Sequence, residues 1–271
     1  MKLKELIEAL VGCGVPREDA EPEARILFEK LGGVSPIRLL TSDPDLPIDV
    51  FGKALSRRAE GEPLAYILGE IDFYKESYFV TPDVLIPRSD TEHLVEYAVR
   101  HLPENAVFAD LCTGSGCIAI SILANRPDTR AIAVDLSDAA LAIARKNAER
   151  NGVLSRIDFV KQDVLLPFPL PKCDAILSNP PYIASKIIPT LSREVSREPS
   201  LALDGGADGL LFYRTMLAYL PSLIKERGFL LFEIGYDQRE SLLALSKDLS
   251  LSCEVRSDYG GNPRMAILRR P

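Results

Sequence analysis

Apolar residues recur at helical spacing throughout the first part of the chain. They fall every three or four positions over residues 3–11, 24–31 and 51–59, and Gly61 follows the last of these stretches. This spacing predicts three amphipathic helices, and no strand-like alternation lies between them. We therefore predict a small all-α N-terminal domain over residues 1–75.

Residues 66–86 have a different pattern. Aromatic and β-branched residues cluster here and are separated by glycine and proline, which predicts short strands or a hairpin. The domain boundary falls in this segment, with residues 76–86 as the connection. The sequence Ser89-Asp-Thr-Glu92 then predicts a capping box that begins a helix continuing to residue 102.

From residue 107 onward, short apolar runs alternate with helical stretches. Strands are predicted over residues 107–111, 131–135, 157–160, 175–177 and 229–232, and helices over 117–125, 138–151 and 210–225. Such alternation requires a parallel sheet covered by helices on both faces. Two closing strands, 251–255 and 265–268, are joined by a glycine-rich turn and must pair antiparallel. Residues 87–271 are thus predicted to form an α/β domain, a doubly wound sheet with an antiparallel terminal hairpin, which resembles the Rossmann-like fold of class I methyltransferases.

Composition and charge narrow the class of protein. The 271 residues suit two domains better than one, and a content of 46% hydrophobic and 26% charged residues is that of a globular chain. The net charge of −7 gives no general attraction to nucleic acid or anionic lipid. Five cysteines without a CxxC pair, and no signal peptide, predict reduced thiols and a cytoplasmic location. With only two histidines and no membrane-length apolar run, we predict neither a metal site nor a membrane partner.

A glycine-rich loop follows the first predicted strand of the sheet. Residues 110–116 read Asp-Leu-Cys-Thr-Gly-Ser-Gly and open a helix, so Gly114 and Gly116 allow a sharp turn and a close backbone approach to a ligand. The spacing also satisfies the dinucleotide fingerprint, so NAD is a rival ligand at this stage. The predicted cofactor-binding residues of this loop are Cys112, Thr113, Gly114, Ser115 and Gly116.

Two aspartates end the following strands. Asp135 stands where a carboxylate can accept hydrogen bonds from a ribose diol, since Ser137 or Asp138 can cap the next helix in its place. Asp163 follows the third strand and could accept from an exocyclic adenine amine. Together they suggest an adenosine-containing ligand.

The segment Ser178-Asn-Pro-Pro-Tyr-Ile183 follows the fourth predicted strand. Pro180 and Pro181 keep the backbone extended and remove two N–H donors, which leaves carbonyl acceptors, while Asn179 adds a side-chain oxygen and Tyr182 a flat ring. This set suits a planar –NH2 nucleophile held for attack on an electrophile. A hydride-transfer enzyme does not need it, so S-adenosylmethionine is favoured over NAD.

These motifs resemble the peptide chain release factor glutamine methyltransferases (the HemK/PrmC family). The resemblance extends from about residue 20 to the C-terminus and includes the motifs Pro63–Gly69, Leu85–Glu92, Asp110–Gly116, Asn179–Ile183, Glu198–Leu203 with Gly205-Gly206-x-x-Gly209, and Glu233-Ile-Gly235. It implies methylation of the side-chain amide nitrogen of the glutamine in the Gly-Gly-Gln motif of class 1 translation release factors. S-adenosylmethionine would be the methyl donor and S-adenosylhomocysteine the product.

The resemblance also implies roles for particular residues. Cys112–Gly116 would form the cofactor loop, Asp135 would bind the ribose, and Asp163 with Val164 would flank the adenine. Asn179 would contact both cofactor and substrate, Pro180, Pro181 and Tyr182 would complete the substrate site, and Asn179, Pro180 and Tyr182 would be catalytic. The helical domain would dock the release factor. This chain departs from the family at Cys112, where a glycine is usual.

Two alternative functions remain open from the residues. Adenine N6 and guanine N2 present the same –NH2 group, so a DNA or rRNA amino-methyltransferase would use a similar pocket. That alternative predicts a basic recognition surface, whereas residues 1–75 carry 10 basic and 14 acidic side chains. The other alternative is a non-catalytic, cofactor-binding adaptor of the translation apparatus. We predict no stable nucleic acid partner.

Overall fold

A computed structural model describes residues 1–258 and 260–271; Tyr259, in the predicted terminal turn, lies outside the described residues. The chain divides into two compact units. The first contains Met1–Gly69 and Ser192–Arg197, and the second contains Glu70–Leu191 and Glu198–Pro271. Residues 70–75, which the sequence analysis assigned to the N-terminal domain, therefore belong to the second unit.

The first unit is helical. Its helices are α1 (Leu3–Gly12), α2 (Arg17–Lys30), α3 (Pro36–Thr41), α4 (Asp49–Ala59) and α5 (Leu64–Leu68). The predicted amphipathic stretches lie in α1, α2 and α4, whose buried faces meet around Phe28 and Phe51 with ring centroids 4.9 Å apart. Residues 66–68, predicted as strand, instead belong to α5, which ends at Gly69 in a left-handed conformation (φ 75°).

The second unit begins with an antiparallel hairpin, β1 (Glu70–Phe73) and β2 (Glu76–Phe79). A 3-10 turn over Ser89–Thr91 then leads into helix α6 (Glu92–His101). The predicted capping box is wrong, because its side chains bind elsewhere: Glu92 Oε1 accepts a hydrogen bond from the Tyr74 N–H at 2.8 Å, and Thr91 makes no capping bond.

A seven-stranded sheet forms the centre of this unit. The remaining elements are β3 (Val107–Leu111), α7 (Cys117–Asn125), β4 (Arg130–Asp135), α8 (Asp138–Arg150), β5 (Ile157–Lys161), β6 (Cys173–Ser178), α9 (Leu211–Leu217), β7 (Ile224–Glu233), α10 (Arg239–Asp248), β8 (Ser252–Ser257) and β9 (Pro263–Arg269). The strand order is β5-β4-β3-β6-β7-β9-β8, with β3 to β7 parallel and β9 antiparallel to both of its neighbours. The predicted α/β fold with an antiparallel terminal hairpin is confirmed.

Two helical predictions in this unit need correction. The stretch 210–225 forms only the short helix α9, a 3-10 turn over Leu220–Leu223 and the first residues of β7. Pro221 lies in that turn, and a proline lacks the N–H that a continuing helix would need. Helix α10 was not predicted.

The strand order brings two loops together at one edge of the sheet. The chain moves from β3 outward to β5 and then returns to place β6 on the other side of β3. Leu111 and Ser178, the last residues of β3 and β6, are register partners, and Ser178 Oγ donates to the Leu111 carbonyl at 2.7 Å. Ligands bind in open α/β sheets at such a switch point, outside the carboxyl ends of the strands.

Candidate active site

A cavity of about 310 Å³ opens at this switch point. Its walls come from the segment before α6 and from the loops that follow β3, β4, β5 and β6. The predicted site residues among those that line it are Cys112, Thr113, Gly114, Ser115, Asp135, Asp163, Val164, Asn179 and Pro181. Gly116, Pro180 and Tyr182 do not line it.

The buried carboxyl group of Asp110 supports the glycine loop. Asp110, at 0% exposure, accepts hydrogen bonds at Oδ2 from Thr113 Oγ1 (2.6 Å) and from the Ala119 N–H (3.2 Å). Its other oxygen, Oδ1, has no hydrogen-bond partner among the described residues. Burial raises the pKa of Asp110 to about 7.

The backbone of the loop needs its glycines. Gly116 caps α7 with φ 82°, and a Cβ there would lie 2.8 Å from Ile120 Cδ1. Cys112 also has a positive φ, 58°, a conformation that costs a residue with a Cβ. The far side of the loop is fixed by the buried side chain of Asn147, whose Nδ2 donates to the carbonyls of Ser115 (2.9 Å) and Phe79 (3.0 Å).

The two aspartates lie beside this loop. Asp135 accepts from the backbone N–H of Gly114 at Oδ2 and of Ser137 at Oδ1, both at 2.9 Å, and Ser137 caps α8. Burial raises the pKa of Asp135, although these backbone bonds oppose the shift. Asp163 Oδ1 accepts from the Leu165 N–H at 2.9 Å, and the buried Val164 adds an apolar side chain to the cavity wall.

The segment after β6 is fixed mainly through its backbone. Ile183 makes two backbone hydrogen bonds with a later segment of the chain. Its N–H donates to the Leu203 carbonyl (3.0 Å), and its carbonyl accepts from the Gly205 N–H (2.8 Å). Gln238 Nε2 donates to the Tyr182 carbonyl at 3.0 Å. A Cβ at Gly205 would lie 2.7 Å from Tyr182 Cα, so this packing requires glycine.

A buried carboxyl group joins the side chains around this segment. Glu233, 1% exposed at the end of β7, accepts at Oε2 from Thr91 Oγ1 (2.6 Å) and at Oε1 from Tyr182 Oη (3.2 Å). Asn179 Nδ2 donates to Thr91 Oγ1 at 3.3 Å. Burial raises the pKa of Glu233 to about 7, although Thr91, Arg264 and Tyr182 oppose the shift. Tyr182 therefore turns its hydroxyl to Glu233, and the same burial raises its pKa.

A second ion pair fixes the segment before α6. Arg88 lines the cavity and pairs with the buried carboxylate of Glu198, which also accepts from the Ile86 N–H at 3.0 Å. In the sequence, Glu198, Gly205 and Glu233 are recognisable only as parts of the family motifs. Their roles in holding this site depend on partners that are far away along the chain.

Comparisons with known proteins agree with this geometry. Family models match at residues 91–213, the "Methyltransferase small domain", and at residues 3–69, the "PrmC N-terminal domain". A release factor glutamine methyltransferase from Moorella thermoacetica is 41% identical over 81% of this chain and 79% of its own length. One from Cereibacter sphaeroides is 38% identical over 99% and 97%. In fold, the chain is similar to a ribosomal protein L11 methylase from Lactobacillus delbrueckii subsp. bulgaricus (TM-score 0.52, 22% identity, 71% of this chain and 84% of that chain).

The sheet order, the glycine loop and the cavity at the switch point define a class I methyltransferase. With relatives of this identity over nearly its whole length, the chain belongs to the release factor glutamine methyltransferase family. No helix among residues 1–258 and 260–271 has the length and apolar character needed to cross a membrane. The same residues contain no group of three or more His, Cys, Asp and Glu side chains that could hold a metal ion.

Proposed function

We propose that this protein methylates the side-chain amide nitrogen of the glutamine in the Gly-Gly-Gln motif of class 1 release factors. One observation carries the proposal beyond family membership: Asn179 lines the same cavity as the glycine loop and Asp135, and its amide nitrogen is already bound to Thr91. Its oxygen is then available as an acceptor for an –NH2 group. We expect the enzyme to act in the cytoplasm, without a membrane or a stable nucleic acid partner.

The cavity has the chemistry that S-adenosylmethionine needs. Carboxylates at Asp135 and Asp163 can accept from hydroxyl and amine hydrogens, and Val164 offers an apolar contact for a flat ring. When bound, this cofactor supplies a sulfonium methyl group as the electrophile and leaves as S-adenosylhomocysteine. The residues that we propose to hold it are Cys112, Thr113, Gly114, Ser115, Gly116, Asp135, Asp163, Val164 and Asn179. Gly116 would act by shaping the loop, since it does not line the cavity.

The acceptor amide would be held by oxygen atoms of the segment after β6. We propose that Asn179 Oδ1 accepts one of its two N–H hydrogens. The carbonyl of Pro180, which does not itself line the cavity but lies between the lining residues Asn179 and Pro181, would accept the other, with Tyr182 supporting the segment. A carboxamide is a poor nucleophile because its lone pair is delocalised. Hydrogen bonds from both N–H groups favour the tetrahedral nitrogen and its growing positive charge, so no strong base is required before attack. One N–H proton then leaves the methylated nitrogen to solvent.

The helical N-terminal unit would bind the body of the release factor. Helix α3 exposes two large apolar side chains, Ile37 (74%) and Leu40 (75%), which are available for contact with a protein partner. Replacing both with serine should raise KM for the full-length factor and leave kcat within about twofold, as expected when uniform binding is lost. An unchanged KM would contradict a docking role for this surface.

The test is transfer of a labelled methyl group from S-adenosylmethionine by the purified full-length protein. The substrates are a class 1 release factor, the same factor with the Gly-Gly-Gln glutamine changed to alanine, duplex DNA and rRNA. We expect label on the first substrate only. Equal labelling of the alanine variant, or labelling of DNA or rRNA instead, would overturn the proposal.

A further inference from the structure

A chain of hydrogen bonds runs from the buried Glu233 to the cavity wall. Thr91 Oγ1 donates to Glu233 Oε2 at 2.6 Å, and Asn179 Nδ2 donates to Thr91 Oγ1 at 3.3 Å. Thr91 and Asn179 line the cavity, whereas Glu233 does not. Thr91 and Asn179 therefore connect Glu233 to the cavity, beside the separate hydrogen bond that Glu233 accepts from Tyr182.

The two hydrogen bonds that join Asn179, Thr91 and Glu233 can run in only one direction while Glu233 is ionised. A threonine hydroxyl has one hydrogen, and that of Thr91 is given to the carboxylate of Glu233. The Thr91 oxygen can then only accept from Asn179, so the –NH2 end of the Asn179 carboxamide must face Thr91. The hydrogen bond between the Asn179 side chain and Thr91 uses Nδ2 and not Oδ1. The direction of the chain thus leaves an oxygen, and not an –NH2 group, for the ligand.

We propose that Glu233 is a positioning residue that acts through Thr91 to keep the Asn179 carboxamide oxygen toward the acceptor amide. The inference rests on the proposed function, because a glutamine amide presents N–H donors that only the oxygen can accept. If the Asn179 carboxamide were reversed, its –NH2 group would face the –NH2 group of the acceptor amide. The acceptor would then lose one of the two hydrogen bonds that orient its nitrogen.

The ionised form of Glu233 is the form that keeps the Asn179 carboxamide oxygen toward the acceptor. The groups that face it are Asp90 and Thr91 before α6, Tyr182 after β6, Arg264 on β9, and Tyr213 on α9, which donates to its main-chain oxygen at 2.8 Å. Arg264 is shared with Asp90 and Asp258, at 3.3 Å each. Burial raises the pKa of Glu233 to about 7. A protonated Glu233 can donate to Thr91, which frees the Thr91 hydrogen to bind Asn179 Oδ1 and reverses the carboxamide.

The first test compares Thr91→Val with Thr91→Ser. The two side chains keep most of the volume of threonine, but only serine keeps the hydroxyl. For the full-length protein with a release factor and saturating S-adenosylmethionine, we expect Thr91→Val to lower kcat about 10- to 100-fold, the size of effect seen when a supporting hydrogen bond is removed. Thr91→Ser should remain within a few-fold of wild type. The dissociation constant of S-adenosylmethionine should change little in both variants.

The second test is the pH profile of kcat, which needs no folded Thr91→Val variant. Wild type should lose kcat as the pH falls through about 7, since protonation of Glu233 reverses the chain. Glu233→Gln cannot titrate, and its carboxamide can satisfy Thr91 in either direction, so it should retain an intermediate kcat with no acidic limb. Tyr213→Phe is the control, because it removes the bond to the main-chain oxygen of Glu233 only. It should lower thermal stability and keep kcat and its acidic limb.

The outcomes separate this inference from the proposed function. If wild type does not methylate the release factor, the proposed function fails. If wild type is active but Thr91→Val matches Thr91→Ser, or the acidic limb is absent from wild type or persists in Glu233→Gln, the positioning role is wrong. Loss of kcat in Tyr213→Phe equal to that in Thr91→Val would also overturn it, since loss of stability would then suffice to explain both.

Discussion

The two sides of the cavity are built in different ways. On the cofactor side, Asp135 binds backbone N–H groups at positions 114 and 137, and the glycine loop turns directly out of β3. On the acceptor side, Asn179 is oriented by Thr91, 88 residues away in the sequence, and Thr91 in turn binds Glu233, which is 142 residues away from Thr91. On the first side a carboxylate binds backbone N–H groups, whereas on the second side the Asn179 carboxamide is oriented by side chains from separate elements. We expect substitutions to separate donor binding from turnover along this division.

Asn179→Ala and Asp135→Ala should differ most in their effects on turnover and on donor binding. Removing the Asn179 acceptor should lower kcat about 10²- to 10³-fold, as for the loss of one preorganised hydrogen-bonding group in an active site. The dissociation constant of S-adenosylmethionine should rise much less, because Asn179 is only one of several residues that we propose to hold the donor. Asp135→Ala should instead weaken donor binding, because the carboxylate that orders the loop is lost.

Calorimetric titration with the donor and single-turnover kinetics with the release factor would measure the two effects. If Asn179→Ala lost donor binding and turnover together, Asn179 would not act as a grip on the acceptor amide.

Alanine substitution of two glycines, one on each side of the cavity, should separate turnover from donor binding to a smaller extent. A Cβ at Gly205 would meet Tyr182 Cα at 2.7 Å, and one at Gly116 would meet Ile120 Cδ1 at 2.8 Å on a backbone with φ 82°. Each alanine variant should lower the free energy of unfolding by about 1–3 kcal/mol. Gly205→Ala should chiefly lower kcat, and Gly116→Ala should chiefly raise the dissociation constant of the donor.

Gly52→Ala in α4 is the matched control, because a Cβ there has nothing within 4 Å and φ is not positive. It should raise the free energy of unfolding by up to about 1 kcal/mol through helix propensity. Equal effects of Gly205→Ala and Gly116→Ala on donor binding would remove the distinction between the two sides.

Features of the molecule that depend on local sequence could be predicted, whereas those that depend on distant residues could not. The strands, the glycine loop and the fold class were predicted, because hydrophobic periodicity and turn chemistry are local. The roles of Thr91 and Glu233 could not be predicted, because the bonds of Thr91 to Asn179 and to Glu233 join residues that are 88 and 142 positions apart in the sequence. Only the fold decides that Thr91 binds Glu233 and that Glu92 binds the Tyr74 backbone.

The missed helix has a simpler explanation. Helix α10 has apolar positions at Leu242 and Leu245, and Gly235 and Ser250 lie outside its ends, so its signal was present in the sequence. The overlong prediction at 210–225 failed because Pro221 was not weighed against a continuous apolar pattern. Both errors lie outside the cavity and did not affect the predicted site.

Each side of the cavity also contains one buried carboxyl group whose titration should affect stability. The pKa values of Asp110 and Glu233 are both raised to about 7 by burial, above those of an unfolded chain. The folded state therefore binds more protons than the unfolded state between about pH 4 and 7, so this contribution to stability falls as the pH rises through that window.

Urea denaturation at several pH values should show the slope, and Asp110→Asn and Glu233→Gln should each reduce it. The pair Arg126–Asp128 provides a contrast, because Asp128 has its pKa lowered by the Arg126 hydrogen bond and should leave the slope between pH 4 and 7 unchanged when replaced by asparagine. An unchanged slope in both buried variants would contradict the buried-carboxyl account.

The smallest effect is expected at Cys112. A residue with φ 58° is relieved of strain when it becomes glycine, but Cys112 also packs against the hydrophobic cluster around Val164 and Phe212. These contributions oppose each other, so Cys112→Gly should change the free energy of unfolding by less than about 1 kcal/mol. Thermal denaturation and donor titration would check this. A large loss of donor affinity would show that the Cys112 side chain itself contacts the ligand.

The most direct test of the central claim is the position of the methyl group in the product. A class 1 release factor incubated with this protein and S-adenosylmethionine would be digested and sequenced by tandem mass spectrometry. We expect one added methyl group on the side chain of the glutamine in the Gly-Gly-Gln motif, and far less of it in the same time with Asn179→Ala. A methyl group on any other residue, or an unmodified factor in the presence of active donor turnover on another substrate, would contradict it.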